Sequence, residues 1–242
     1  MSRRRVAVLV EMVLLVSAFL LFTRLHAAAG TSRAAATAHA RQLQSVEGVL
    51  HLNIELTANR WLAGHPTLIP AAVCFYRLYY AVLLAVLVWV YVRHTEVYGQ
   101  VRRTLLAMMF LVLPVFWALP VSPPRFALPG IVDIVAEHDL FGSTASRDLA
   151  NGQNHFSAMP SMHVGWSAWC AYAVWAALRA THPRPALLAW GFPLVMAAVV
   201  LTTGNHYLLD IAGSAALLAT AVGVAALTGR PATRGRRMPD PG

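Results

Sequence analysis

Six apolar runs dictate what this 242-residue chain can fold into. They cover roughly residues 6–25, 68–92, 104–119, 163–178, 187–202 and 207–227. Several approach the ~20 residues that carry a helix across a bilayer. No water reaches the backbone there, so each segment must satisfy its own N–H and C=O groups, which a helix does. Hydrophobic residues are 58% of the chain and charged residues 12%, a composition outside the ordinary soluble class. The sequence therefore predicts an all-α integral membrane protein, a bundle of about six transmembrane helices. One membrane-embedded domain is expected over residues 1–228. A disordered basic tail rich in Arg, Pro and Gly follows over 229–242.

The first run follows Arg3-Arg4-Arg5 and ends near Ala27-Ala28-Ala29, which imitates a secretory signal. It is long for the apolar part of a signal, so it reads as an uncleaved anchor. Between residues 30 and 66 the pattern changes. Val49, Leu50, Leu52, Ile54, Leu56, Trp61 and Leu62 alternate with His51, Asn53, Glu55, Asn59 and Arg60. That pattern predicts an interfacial amphipathic helix lying on the membrane surface.

Arginine placement sets the orientation. The chain has 19 basic residues, all arginine. With the N-terminus inside, twelve of them fall in cytoplasmic segments: Arg3, Arg4, Arg5, Arg93, Arg102, Arg103, Arg179, Arg184, Arg230, Arg234, Arg236 and Arg237. The positive-inside rule then expects a multi-pass cell-membrane protein with both termini cytoplasmic. The same rule accounts for the net charge of +9, so no nucleic-acid partner is inferred from it. Cys74 and Cys170 lie within apolar segments, without metal-ligand spacing, and read as packing residues.

Three motifs fall on the outer face of that topology. Thr203-Gly204-Asn205-His206-Tyr207-Leu208-Leu209-Asp210 opens the last run, and Pro160-Ser161-Met162-His163 opens the fourth. Each sets an imidazole beside the free backbone N–H groups of a helix start, where anions bind readily. Asp210 stands four residues after His206, on the same helix face, and can accept a hydrogen bond from one ring nitrogen. The other nitrogen is then free to attack phosphorus. The pair reads alternatively as a polar lock between helices. Ser161 is a good N-cap behind Pro160, and His163 is placed as a general acid. Ser122-Pro123-Pro124-Arg125 is stiffened by its prolines and presents a guanidinium suited to bidentate phosphate contact. Arg125 could equally reach toward lipid headgroups.

These residues resemble the type-2 phosphatidic acid phosphatase superfamily of integral membrane lipid-phosphate enzymes. Pro160-Ser161-Met162-His163 matches its Pro-Ser-x-His motif, and His206 through Asp210 matches the end of its final motif. The resemblance implies a metal-independent, cofactor-free mechanism with His206 as nucleophile and His163 as acid. Two departures stand out. Val199-Val200 occupies the place of the usual Ser-Arg pair, and the lysine-containing first motif is absent. The Gly-Asn-His-Tyr-x-x-Asp form and Ser122-Pro123-Pro124-Arg125 resemble the inositol phosphorylceramide synthase branch, the aureobasidin-resistance type. Arg125, Asn205 and the amides near Ser161 are the nominated substitute phosphate ligands, with Tyr76, Arg77 and Tyr79 as further candidates.

The expected function is hydrolysis of a lipid phosphomonoester or diphosphate through a phosphohistidine. Transfer of a phospho-headgroup to a lipid alcohol is the first alternative, and a non-enzymatic lipid or proton transporter the second. Of the other histidines, His94 and His182 fall in cytoplasmic loops. His26, His39, His51, His65 and His138 show no metal-ligand spacing, and His155 is a candidate for the cavity entrance.

Overall fold

The structure, a computed structural model, describes residues 3–138 and 154–229. The tail expected from residue 229 lies, from residue 230 on, outside the described residues. The described helices are, in chain order, α1 (Arg3–Ala28), α2 (Arg33–Val49), α3 (Glu55–Ala63), α4 (Ile69–Arg93), α5 (Thr95–Ala118), α6 (Pro124–Ala127), α7 (Ile134–Glu137), α8 (Met162–Leu178), α9 (Pro183–Leu188), α10 (Gly191–Thr202) and α11 (Leu208–Thr228). Among the described residues, five stretches are long and apolar enough to cross a membrane: Val6–Ala28, Ile69–Arg93, Thr95–Ala118, Pro183–Thr202 and Leu208–Thr228.

Helix α8 is the remaining apolar run, the fourth in chain order. It has 17 residues, and Val164 through Ala173 are all buried. Its length of ~26 Å falls just short of the hydrocarbon thickness. Helices α4, α5, α10 and α11 pack around it. Its small residues admit that close approach: a Cβ on Gly165 would lie 3.4 Å from Met108. Trp169, fully buried, donates its indole N–H to the Val101 carbonyl at 3.1 Å.

Helix α1 is largely exposed along its apolar length and packs on α5. Its one acidic residue, Glu11, accepts from the Tyr98 hydroxyl at 2.7 Å and from Arg102 at 2.6 Å. A carboxylate in an apolar span is costly unless paired, and this one is. Those partners lie in a polar stretch that extends α5 back to Thr95, ahead of the apolar run that begins at residue 104. Arg103 closes the same end by donating to the Ala225 carbonyl at 3.2 Å. Cys170 is buried as expected, but Cys74 lies exposed on α4, so a packing role fails there.

The ends of α1, α5 and α10 gather with the starts of α4, α8 and α11 at one end of the bundle. There α2, α3, α6 and α7 close over them. The single surface helix expected between residues 30 and 66 is two helices, broken around His51, whose φ is +56°. Ser32 caps the first by accepting from the Ala35 amide. Their amphipathy also points inward. Glu47, Glu55 and Asn59 are buried, while Val46, Val49, Leu50, Ile54 and Trp61 are exposed. These polar residues serve the protein interior rather than water.

Candidate active site

The segment between α10 and α11 delivers the first histidine. Gly204 turns the chain at φ +77°, where a Cβ would stand 2.6 Å from the Ile131 side chain. The Val200 carbonyl then accepts from the Asn205 amide at 3.0 Å and the His206 amide at 3.3 Å. His206 is buried, and its Nδ1 lies 2.9 Å from the Ala158 carbonyl and 3.1 Å from Asp210 Oδ2. Both neighbours are acceptors, so Nδ1 carries the proton. In the neutral ring the lone pair is therefore on Nε2. Asp210, fully buried, also accepts from the Tyr207 amide at 2.9 Å. Its place behind the imidazole is the one the four-residue spacing predicts.

His163 enters on the first turn of α8. Ser161 caps that helix by accepting from Val164 N at 3.4 Å, as expected. The ring of His163 stacks on Tyr76 with centroids 4.2 Å apart and meets Tyr79 at 4.7 Å. It stands 5.7 Å from the His206 ring, close enough for one phosphoryl group and its leaving oxygen to reach both.

Arg125 is the second residue of α6, directly after its two prolines, and its amide donates to the Gly204 carbonyl at 2.9 Å. Its guanidinium donates to Asn205 Oδ1 and lies 3.5 Å, at Nε, from Asp133 Oδ2. Tyr76 donates to the same Asn205 oxygen at 3.4 Å, and Asn205 Nδ2 turns back to Thr203 Oγ1 at 2.9 Å. Asn205 thus aims Arg125.

These groups line one cavity of about 530 Å³. Its polar wall includes Arg77, Arg125, His155, His163, Asn205 and His206, and its aromatic and apolar wall Phe22, Tyr79, Tyr80, Met162 and Trp166. An amphiphile with a charged head suits such a wall. Of the sequence-predicted residues, His206, His163, Arg125, Asn205, Tyr76, Arg77 and Tyr79 meet here. Asp210 and Ser161 stand behind the lining, and Ser161 is wholly buried as a cap.

One expectation is corrected. The first amides of α11 are not free for an anion. Tyr207 N donates to Asp210, Leu208 N to Glu55 Oε1 at 3.1 Å, and Leu209 N to Glu47 Oε1 at 2.7 Å. Three carboxylates already fill that helix start, so a phosphoryl group is left to the side-chain ligands and the opening of α8. Burial pushes the Glu47 carboxyl up to about 7, and the nearby Glu55 and Asp210 carboxylates add to the rise.

Sequence reasoning missed Asp133, Glu47, Glu55, Asn59 and His26. Asp133 is an acid among Ile131, Val132, Ile134 and Val135, a pattern that signals a partnered buried charge. Asn59 donates to the Val132 and Thr202 carbonyls and accepts from the Val132 amide, tying Asp133 to the His206 segment. His26 Nε2 lies 3.0 Å from Ser157 Oγ on the cavity wall, and no local pattern marks that pair.

A family model described as the PAP2 superfamily matches residues 41–224, which takes in every residue lining the cavity except Phe22, Thr23, His26 and Ala27 on α1. Comparison with curated proteins returned no match, and neither did comparison with solved structures.

Proposed function

The chain belongs to the PAP2 superfamily, and from that membership we propose that it is a membrane lipid-phosphate phosphatase working through a phosphohistidine. Lipid-phosphate chemistry of the phosphatase or phosphotransferase type comes with the superfamily. The observation that carries the finer reading is the His206 ring, whose Nδ1 is held between Asp210 and Ala158 while the ring lines the cavity with Arg125 and His163.

In this reading Nε2 of His206 attacks phosphorus, and the P–O bond to the lipid breaks. His163 donates a proton to the departing oxygen. Arg125 stabilises charge on the non-bridging oxygens, and Arg77 adds a second cation to the same wall. Water then attacks the phosphohistidine, His163 takes its proton, and phosphate leaves with His206 restored. The same reading counts α8 with the five longer apolar helices as six crossings, with both termini cytoplasmic and the cavity at the extracytoplasmic face, a topology that the arginine distribution supports.

Headgroup transfer to a lipid alcohol is the second reading. Asp133 beside Arg125 favours it, because one carboxylate lowers the positive charge offered to a phosphate and suits a monoanionic diester. The Gly-Asn-His-Tyr and Ser-Pro-Pro-Arg resemblances point the same way. The test uses purified protein in detergent with EDTA, lipid phosphomonoesters, diphosphates and diesters, and added lipid alcohols. Free phosphate absent from His206→Ala supports the phosphatase. A new phospholipid moves the reading to the transferase. Folded protein inactive on both channels contradicts both and favours a transporter.

A further inference from the structure

We propose that Glu47 and Glu55, on the two surface helices that cover the site, are positioning residues for His206. The proposal rests on the phosphohistidine reading for its consequence but on geometry for its substance. Glu47 and Glu55 are buried at 0% and 2% exposure, though they belong to helices at the bundle's end. Their carboxylates accept the Leu209 and Leu208 amides, the second and first amides of α11. Asp210 accepts the Tyr207 amide just before them, with the same oxygen that faces His206 Nδ1. Three consecutive donors next to the imidazole are thus held by three carboxylates, two of them from outside α11.

Residues nearby reinforce the same segment. Gln44, on α2, donates to the Tyr207 hydroxyl at 3.2 Å, and that hydroxyl donates to the Ser122 carbonyl at 3.1 Å. Asn59, on α3, holds the Thr202 carbonyl at 3.0 Å. Helices α2 and α3 therefore grip the chain on both sides of His206, from Thr202 to Leu209. Simple burial of apolar area does not explain this arrangement, since two acids are sequestered to make it. An ordinary N-cap side chain satisfies one of the free amides at a helix start, and water commonly serves the others. Two extra carboxylates on successive amides fix the direction in which α11 begins, and with it the angle at which His206 meets the cavity. A nucleophile displaced by ~1 Å loses ~10²-fold in rate.

The test compares Glu47→Ala, Glu47→Gln, Glu55→Ala and Glu55→Gln in the full-length protein in detergent. Glutamine keeps an oxygen acceptor for the amide, and alanine removes it. Hydrogen exchange is read on the peptide covering residues 203–210. Single-turnover labelling of His206 by a lipid phosphate gives both a rate constant and a labelled fraction. The expected result is at least tenfold faster exchange at Leu208 and Leu209 in the alanine proteins. Their labelling rate constant falls at least tenfold, with KM within twofold and the labelled fraction unchanged. Glutamine restores most of both. If the alanine proteins do not fold, Glu47→Asp and Glu55→Asp, which draw the acceptor back by one methylene, serve the same comparison. Wild-type exchange in the alanine proteins overturns the proposal, as does a lost labelled fraction with an unchanged rate constant. A wild-type protein that forms no phosphohistidine contradicts the functional reading instead, and the exchange data then decide the positioning claim alone.

Discussion

His206 Nδ1 lies 3.1 Å from Asp210 Oδ2, one helical turn away, and the Ala158 carbonyl closes on the same nitrogen at 2.9 Å. Two acceptors on one nitrogen decide the tautomer. Asp210→Asn keeps the shape but can present an N–H toward Nδ1, which favours the inactive tautomer. The labelling rate should fall by about 10²-fold or more, with thermal stability little changed. A loss under tenfold contradicts the orienting role.

His163 acts twice in the proposed cycle, and the two steps separate by leaving group. His163→Ala should slow a lipid alkoxide substrate by 10²–10⁴-fold. With an aryl phosphate, whose leaving group needs no proton, the first step recovers and hydrolysis of the intermediate stays slow. Phosphohistidine should then accumulate as a burst. Equal losses on both substrates, without a burst, remove His163 from the acid role.

Arg125 is aimed by Asn205 and flanked by Asp133. Arg125→Lys should lower kcat/KM about 10²-fold, because a point charge replaces a planar fork. Asp133→Asn leaves the guanidinium but removes the adjacent negative charge. The ratio of monoester to diester turnover should rise by about tenfold. An unchanged ratio shows that Asp133 only holds the arginine in place.

Glu47 gives the fold a pH signature. Its folded value, about 7, lies above its ordinary 4.5, so folding favours the protonated form. The stability it contributes is full below about 4.5 and is lost as pH rises through about 7. Glu55 from α3 and Asp210 from α11 are the acids that face it. Thermal melts in detergent should show wild-type stability declining across this window, by at most ~1.4 kcal/mol per pH unit. Glu47→Gln should flatten the decline, and parallel curves for the two proteins contradict the assignment.

Local pattern made much of this legible. Apolar length marked the helices, Pro160-Ser161 marked the start of α8, and four-residue spacing paired His206 with Asp210. The two prolines before Arg125 marked the segment that carries its guanidinium to the cavity. What stayed hidden depends on contacts between distant parts of the chain. Glu47 meets Leu209 and Glu55 meets Leu208 across more than 150 residues, and nothing beside either acid announces it. The same distance explains the amides of α11. A helix start looks open in sequence, and only the fold shows that Glu47 and Glu55 fill it. The 30–66 stretch misleads for a related reason: Glu47, Glu55 and Asn59 have buried partners, while Val46, Val49, Leu50, Ile54 and Trp61 are outermost.

The most direct test of the central claim is to trap the intermediate. The full-length protein in detergent and EDTA would be mixed with a lipid phosphate, quenched in alkali, digested and mapped by mass spectrometry. Base-stable, acid-labile phosphate should appear on the peptide carrying His206, and none in His206→Ala. Phosphate on another residue, or full turnover by His206→Ala, would contradict the claim.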